Sequence, residues 1–562
     1  MLVPAFPESG GAETPLNGFL DRHCLECHDA DSAKGNLDLT ALKPDFGNPD
    51  LFARWVKVHD RIASGEMPPK KKPRPETAET EAVTTWLSSA LVEAEKATLD
   101  AEGRTGIRRL TRSEYENTVR DLFDLPGIAL KSGLPADGSA HGFDKNSDAL
   151  DISHVNLAKY LEAADKALDL AIATQPEAPK QERYRLSLAG NYEPNIMLMQ
   201  GDAVLLRDKR HDPEFPPAGK FAHVNQGAHE QLGIFKRMSS VGVFRHEDES
   251  WNAYYRKFAA LYPGKYRLRA SFWSMTWDKG KILPSRGVEA ARLSVVEFNE
   301  NGRGGQHPSY VLGYFDAPSI DSQVHEMEVW LNRKETIGYN SASLAPVVLY
   351  RVGTWGQVDR TMGFTGPCIV NDWLELEGPI HEVWPPKSHQ RLFSELPLTE
   401  FKPSEHPGVR PPLRRPLKQE VITTENKPEP LSGIWTVQTE EPLSEADRLL
   451  SSFLPAAFRR PVSEEVRRQY VDLVGSRLEA GDAFETAMRF GYRAALCSPD
   501  FLYLVEAPGK LDDDALGSRL SYFLWNSLPD DPLRSVIQQG RIRNPDALNA
   551  EVERMLDDPK SQ

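Results

Sequence analysis

Cys24-Leu25-Glu26-Cys27-His28 constrains this chain more than any other stretch. Two cysteines three positions apart, followed at once by a histidine, form the attachment signature of a c-type haem. The spacing follows from the chemistry. Each thiol adds across one vinyl group of the porphyrin, and the adjoining imidazole reaches the iron from the proximal side. A structural zinc half-site needs two more ligands at matching spacing, and Cys368 and Cys497 stand alone. A thioredoxin-like redox pair wants a strand before it and no obligatory histidine after it. The reading is haem c, covalently attached through Cys24 and Cys27, with His28 as proximal ligand.

A sixth ligand is offered by Ser64-Gly65-Glu66-Met67-Pro68-Pro69. Gly65 lets the chain turn, and the prolines stiffen the loop that presents the Met67 thioether. A methionine between breakers in a polar loop is poorly placed for core packing. His23 and His59 compete for the same role. Met/His ligation raises the potential relative to bis-His.

The 562 residues predict several domains, and 27% of them are charged, with a formal charge of −15. That acidity argues against a general nucleic-acid binder. The basic run Lys70-Lys71-Lys72-Pro73-Arg74 follows the Met67 loop. It reads as a solvated loop, or as a docking patch beside the haem edge for an acidic redox partner. No run of about eighteen apolar residues occurs, so no membrane span is expected. The first residues lack a basic n-region and a long apolar core, so no export signal is visible. Haem attachment takes place outside the bacterial cytoplasm, so the native N-terminus is expected to differ. Cys368 and Cys497 fall in different predicted domains, and a disulfide between them is not favoured.

Along the chain, residues 14–28 read as a helix running into the motif, with Phe19 and Leu20 inward. Residues 50–63 show helical spacing at Leu51, Trp55, Val58 and Ile62, and Glu76–Ala97 forms a third helix with Val83, Trp86, Leu87 and Leu91 inward. Thr111 and Glu114 form a capping box, with Leu110 and Tyr115 as hydrophobic staple. Asp137, His141 and Asp144 are a weak acid/base candidate, more simply read as a polar loop. Ser153 caps a helix carrying Leu157, Tyr160, Leu161, Ala164 and Leu168.

From 183 to 380 the pattern changes to short strands. Gly264–Phe272 alternates with period two, and Arg292–Phe298, His325–Leu331, Pro346–Arg351 and Asp372–Glu377 are further strand candidates. Many strands without long helices predict an antiparallel β-sandwich, jelly-roll-like. Residues 381–442 are Pro-rich and read as a surface linker. Helices return at 443–505, where Ser463 caps one of them. The apolar Leu520–Trp525 reads as a core helix within 506–562, a domain that looks truncated.

The N-terminal stretch 14–100 resembles small monohaem cytochromes c. Pro263-Gly-Lys-Tyr-Arg-Leu-Arg and Asp372-Trp-Leu-Glu-Leu-Glu-Gly-Pro379 resemble carbohydrate-binding β-sandwich modules, for which Trp251, Tyr254, Tyr255, Trp273, Trp277 and Trp355 are the available sugar-stacking rings. The whole order of pieces resembles the planctomycete-type multidomain cytochrome c proteins. The residues that carry this resemblance are Cys24–His28, Arg109–Leu122, His141–Asp144, Ala457–Pro461, Ser498–Leu502 and Leu520–Trp525. It implies an all-α cytochrome c domain at 14–100, a small helical domain at 104–178, the sandwich at 183–380 and helical domains after the linker. It transfers Cys24, Cys27, His28 and Met67 as haem residues in a periplasmic or cell-surface protein. Three functions remain open. They are electron transfer to a redox partner in polysaccharide oxidation or degradation, a glycan-binding scaffold with haem as sensor, and a haem peroxidase with an open distal site.

Overall fold

The computed structural model describes residues 14–102, 107–139, 144–145, 150, 154–187, 203–211, 239–245, 253–255, 257–298, 310–343, 365–412, 433–506 and 509–561. Trp251, Trp355, His141, Ser153 and the strand candidate 346–351 lie outside the described residues.

Three helices build the N-terminal unit, α1 (Pro15–His23), α2 (Pro49–Ala63) and α3 (Thr77–Glu102). Asn48 caps α2, its side-chain oxygen accepting from the Asp50 and Leu51 amides at 3.0 and 3.2 Å. The helical period then places Trp55, Val58 and Ile62 on one buried face. They close on Leu16, Phe19 and Leu20 of α1 and on Val83, Leu87 and Leu91 of α3. Trp86 is half-buried and meets Phe46 edge-on at 6.4 Å.

Helix α4 (Arg112–Phe123) opens with the expected capping box. The Glu114 amide donates to Thr111 Oγ1 at 3.1 Å, and the Thr111 amide to Glu114 Oε2 at 2.9 Å. In α5 (His154–Ala171), Tyr160, Ala164 and Leu168 are buried, but Leu157 and Leu161 are exposed. The inward stripe is completed by Ala163, Ala167 and Ala171 instead. Both helices enter one cluster with Leu449, Leu450 and Phe453 of helix Pro442–Phe458 and with Met488, Tyr492 and Leu496 of helix Phe484–Leu496. The strand pair Arg108–Arg109 and Tyr503–Leu504 adds a backbone tie. Segments 104–178 and 443–505, apart in sequence, thus share one core.

The expected linker takes part in that core. Pro386 starts a helix, Lys387–Phe393, whose Leu392 and Phe393 are buried, and Leu398–Glu400 pairs with Trp435–Val437. Here the prolines set turns between short elements, and composition hides the few apolar residues that anchor them. The Leu520–Trp525 reading is corrected in part. Tyr522 and Trp525 are buried, whereas Phe523 is 81% exposed.

Residues 182–380 form two antiparallel sheets among the described strands. One has the order Tyr310–Ala317, Glu289–Glu297, Glu335–Ser341, Ala253–Tyr254. The other is centred on the paired long strands Gly264–Asp278 and Thr365–Ile380. As the alternation predicts, Tyr266, Leu268, Ala270 and Phe272 face inward, where they share a cluster with Leu293, Val295, Ile337 and Tyr339 of the first sheet. The outward residues form two rows of alternating charge across four strands. Register aligns Arg185, Glu375, Arg269 and Glu326 in one row, and Arg183, Glu377, Arg267 and Glu328 in the next. Glu375 is buried and accepts from Arg183 at 2.6 Å and Arg269 at 3.2 Å. The Arg183 guanidinium, helped by Arg269, holds its carboxyl below the usual carboxylate range.

A carboxyl depressed in the folded state stabilises above its unfolded value, near about 4.3, and loses that contribution as pH falls through the folded value. Glu375→Gln is therefore expected to cost about 1 kcal/mol at neutral pH after solvent screening, and to flatten the acid limb of a stability–pH curve. Unchanged denaturant unfolding at both pH 7 and pH 3 (roughly the two plateaus) would show that the rows carry no stability.

Candidate functional site

Helix α1 ends at His23 and the chain winds directly into the cysteine–histidine turn. The Cys24 and Leu25 amides donate to Leu20 O at 2.9 and 3.0 Å, and the Cys27 and His28 amides both donate to Cys24 O at 3.1 Å. The Lys34 amide closes the loop on Cys27 O at 3.0 Å, and the Leu39 amide on His28 O at 2.8 Å. His28 Nδ1 lies 3.3 Å from Leu37 O. A carbonyl only accepts, so this contact assigns the proton to Nδ1 and leaves the Nε2 lone pair for a metal. Neither cysteine of the motif is in a disulfide, and burial pushes the Cys24 thiol up to about 11. Among the described residues no group of three His, Cys, Asp or Glu is placed to hold a metal ion.

The motif adjoins an apolar surface suited to a haem. Cys24 packs on the helical core together with half-buried Leu25, Leu37, Phe46, Leu51, Phe52 and Val56. The Met67 loop is fastened at several points. The Met67 amide donates to Arg61 O at 2.9 Å, and Arg74 donates to Gly65 O at 2.8 Å. Gly65 turns at φ +70°, a conformation that favours glycine. Arg61 pairs with Glu66 within the loop, and Lys72 pairs with Glu26, which ties the loop to the motif itself. Met67 is half-buried beside buried Pro68. His23 has Nε2 3.2 Å from Glu79 and its ring on Phe19, and His59 has Nδ1 3.0 Å from Asp60. Lys70 and Lys71 are exposed.

The remaining candidates sit elsewhere. Tyr254, Tyr255, Trp273 and Trp277 are buried and offer no ring face to a sugar. The outer side of their strand is covered where Trp273 and Trp277 meet Val204, Leu206, Phe244, Cys368 and Val370. Trp273 Nε1 donates to Asp372 at 2.9 Å, and Tyr255 Oη to Asn371 at 2.6 Å. Tyr314, which no sequence signal separated from its neighbours, is 65% exposed. Asp137 is not free for acid/base work, since it accepts from Arg109 at 3.0 Å and from the Arg112 amide at 2.9 Å. Cys368 is buried in the sheets, and Cys497 caps the end of helix Phe484–Leu496. Sequence reasoning also missed the Leu37 and Lys72 contacts, because neither residue type at such a separation signals a partner.

Four protein-family models match in succession. They are Planctomycete cytochrome C over residues 24–71, and three described as Protein of unknown function, DUF1587 over 108–173, DUF1595 over 445–506 and DUF1592 over 511–562. The first spans Cys24, Cys27, His28 and Met67 and implies haem c as the cofactor. No curated protein matches the chain. Among the described residues no helix is long and apolar enough to cross a membrane.

Proposed function

We propose that this chain, whose matched segments follow the order of a planctomycete-type multidomain cytochrome c protein, is an extracytoplasmic one-electron carrier. In this reading Cys24 and Cys27 would hold the haem, with His28 and Met67 as the residues that would ligate its iron. The observation that supports this reading is the His28 Nδ1 contact with Leu37 O, which would leave Nε2 as the ligating nitrogen. The haem supplies a reversible one-electron iron couple. The chain supplies the rest. Leu37 orients the imidazole, and the Arg61, Arg74 and Lys72 contacts present the thioether. With Met67 as a ligand, peroxide would have no iron site, which favours the carrier over the peroxidase reading.

The experiment is an optical spectrum of haem-matured protein across a redox titration. A low-spin spectrum with a reversible one-electron transition supports the carrier. A high-spin ferric spectrum that responds to cyanide or peroxide overturns it. The redox partner is read as acidic, because Lys70 and Lys71 are exposed next to the ligand loop. Reversing both to Glu is expected to slow association with an acidic partner about tenfold at low salt, with the difference vanishing as ionic strength rises. Equal rates at low salt would remove this patch from docking.

The two sheets are read as a jelly-roll-like sandwich. Of the described rings on them, Tyr314 is the exposed one to test for glycan binding, and the carrier reading stands without it.

A further inference from the structure

We infer that the junction between the helical core and the sheets is a pH-responsive clasp, in which Glu335 sets the side chain that bridges the two. The turn after α4 docks on the reverse turn between strands Gln323–Leu331 and Glu335–Ser341. Gly127 lies so close that a Cβ there would sit 1.8 Å from Trp330 Cδ1, and the Trp330 ring packs against the helical cluster. Trp330 Nε1 donates to Asn332 Oδ1 at 3.1 Å. Asn332 Nδ2 donates across the junction to Gly127 O at 2.6 Å and back to Glu335 Oε1 at 3.1 Å. The Asn332 amide completes the arrangement, donating to Glu335 Oε2 at 2.6 Å. One carboxyl thus orients the amide that joins the two units.

Glu335 is 3% exposed, and no cation pairs with it among the described residues. Glu297 stands directly opposite on the neighbouring strand, like charge to like. Lys166 of α5 faces it but is held by Ala129 O at 2.9 Å, in the same turn as Gly127. Tyr310 donates to Trp330 O at 2.7 Å, and Arg120, near Tyr310, pairs with Glu116 at 3.0 Å. Arg333 and Lys334 of the reverse turn have other partners.

Burial, reinforced by Glu297, pushes the Glu335 carboxyl up to about 7. The unfolded carboxyl ionises near about 4.3, so across that window the native state keeps a proton the unfolded state has lost. Stability therefore falls as pH rises through the window, and above it the buried charge is fully present. The Asn332 bonds to both carboxyl oxygens favour the charged form, but burial outweighs them, so an ionised Glu335 gains by the hydration that opening of the junction supplies.

The test is hydrogen exchange on the full chain from about pH 6 to about pH 8.5, corrected for intrinsic rates and read in peptides over 125–131 and 328–336. Protection in the wild type is expected to fall roughly tenfold, the equivalent of one pK unit, and to level off just above the folded value. Glu335→Gln should abolish the decline. Glu297→Gln, at an exposed position, should keep the fold and lower the pH at which protection levels off. Flat protection in the wild type, a decline that persists in Glu335→Gln, or an unmoved levelling point in Glu297→Gln would each overturn the clasp. None of these readouts depends on haem.

Discussion

Met67→Ala is expected to lower the reduction potential of the haem-matured protein by on the order of 0.1 V or more, within the roughly 0.8 V that axial ligation spans. A soft thioether favours the reduced iron, and its loss leaves water or a weaker donor in that position. The weak red Met–iron absorption should vanish, and the ferric form should turn high-spin and bind cyanide. Because the Met67 amide, Gly65 O and Lys72 fasten the loop through the backbone and neighbouring side chains, the substitution should leave the fold intact. An unchanged potential and spectrum would pass the role to His59 or His23. Parallel His59→Ala and His23→Ala variants decide between them, although the contacts of His23 with Glu79 and Phe19 already engage its ring.

Phe393→Ala is expected to destabilise the helical core by about 3–5 kcal/mol, the range for removing a buried aromatic side chain. Phe393 is fully buried, lies 5.0 Å from the His389 ring and 6.1 Å from the Tyr492 ring, and belongs to the cluster that joins α4 and α5 to the later helices. Tyr492 donates to the carbonyl of the preceding Leu392. Denaturant unfolding followed by far-UV dichroism measures the loss. Lys402→Ala, exposed in the same Pro-rich segment, should stay within about 0.5 kcal/mol. A surface linker would make both changes equally mild, so a small effect of Phe393→Ala would restore that reading.

The residues that were legible in the sequence are those whose constraint is local. The Cys24–His28 turn, the Thr111–Glu114 capping box, the Ser463 cap and the alternation of Gly264–Phe272 all arise within a few residues of backbone. Their chemistry or period is complete without knowing what lies across the core. The proposed haem residues belong to this class, since attachment would need only the spacing of two thiols and an imidazole. Met67 belongs to it less fully, since the sequence shows a suitable loop but not the Lys72–Glu26 pair that ties it to the motif.

Tertiary structure decided which segments pack together and which aromatic rings face water. Trp273 and Tyr314 are both strand aromatics, yet one is sealed against Val204, Phe244 and Cys368 and the other is exposed. Residues 387–393 read as linker because proline content is counted locally, while the core that Leu392 and Phe393 enter is built by helices that precede and follow them in the chain. The Gly127–Asn332–Glu335 junction was invisible for the same reason. A buried carboxyl acquires its properties from neighbours far away in sequence, and only the folded chain brings those neighbours within hydrogen-bond range.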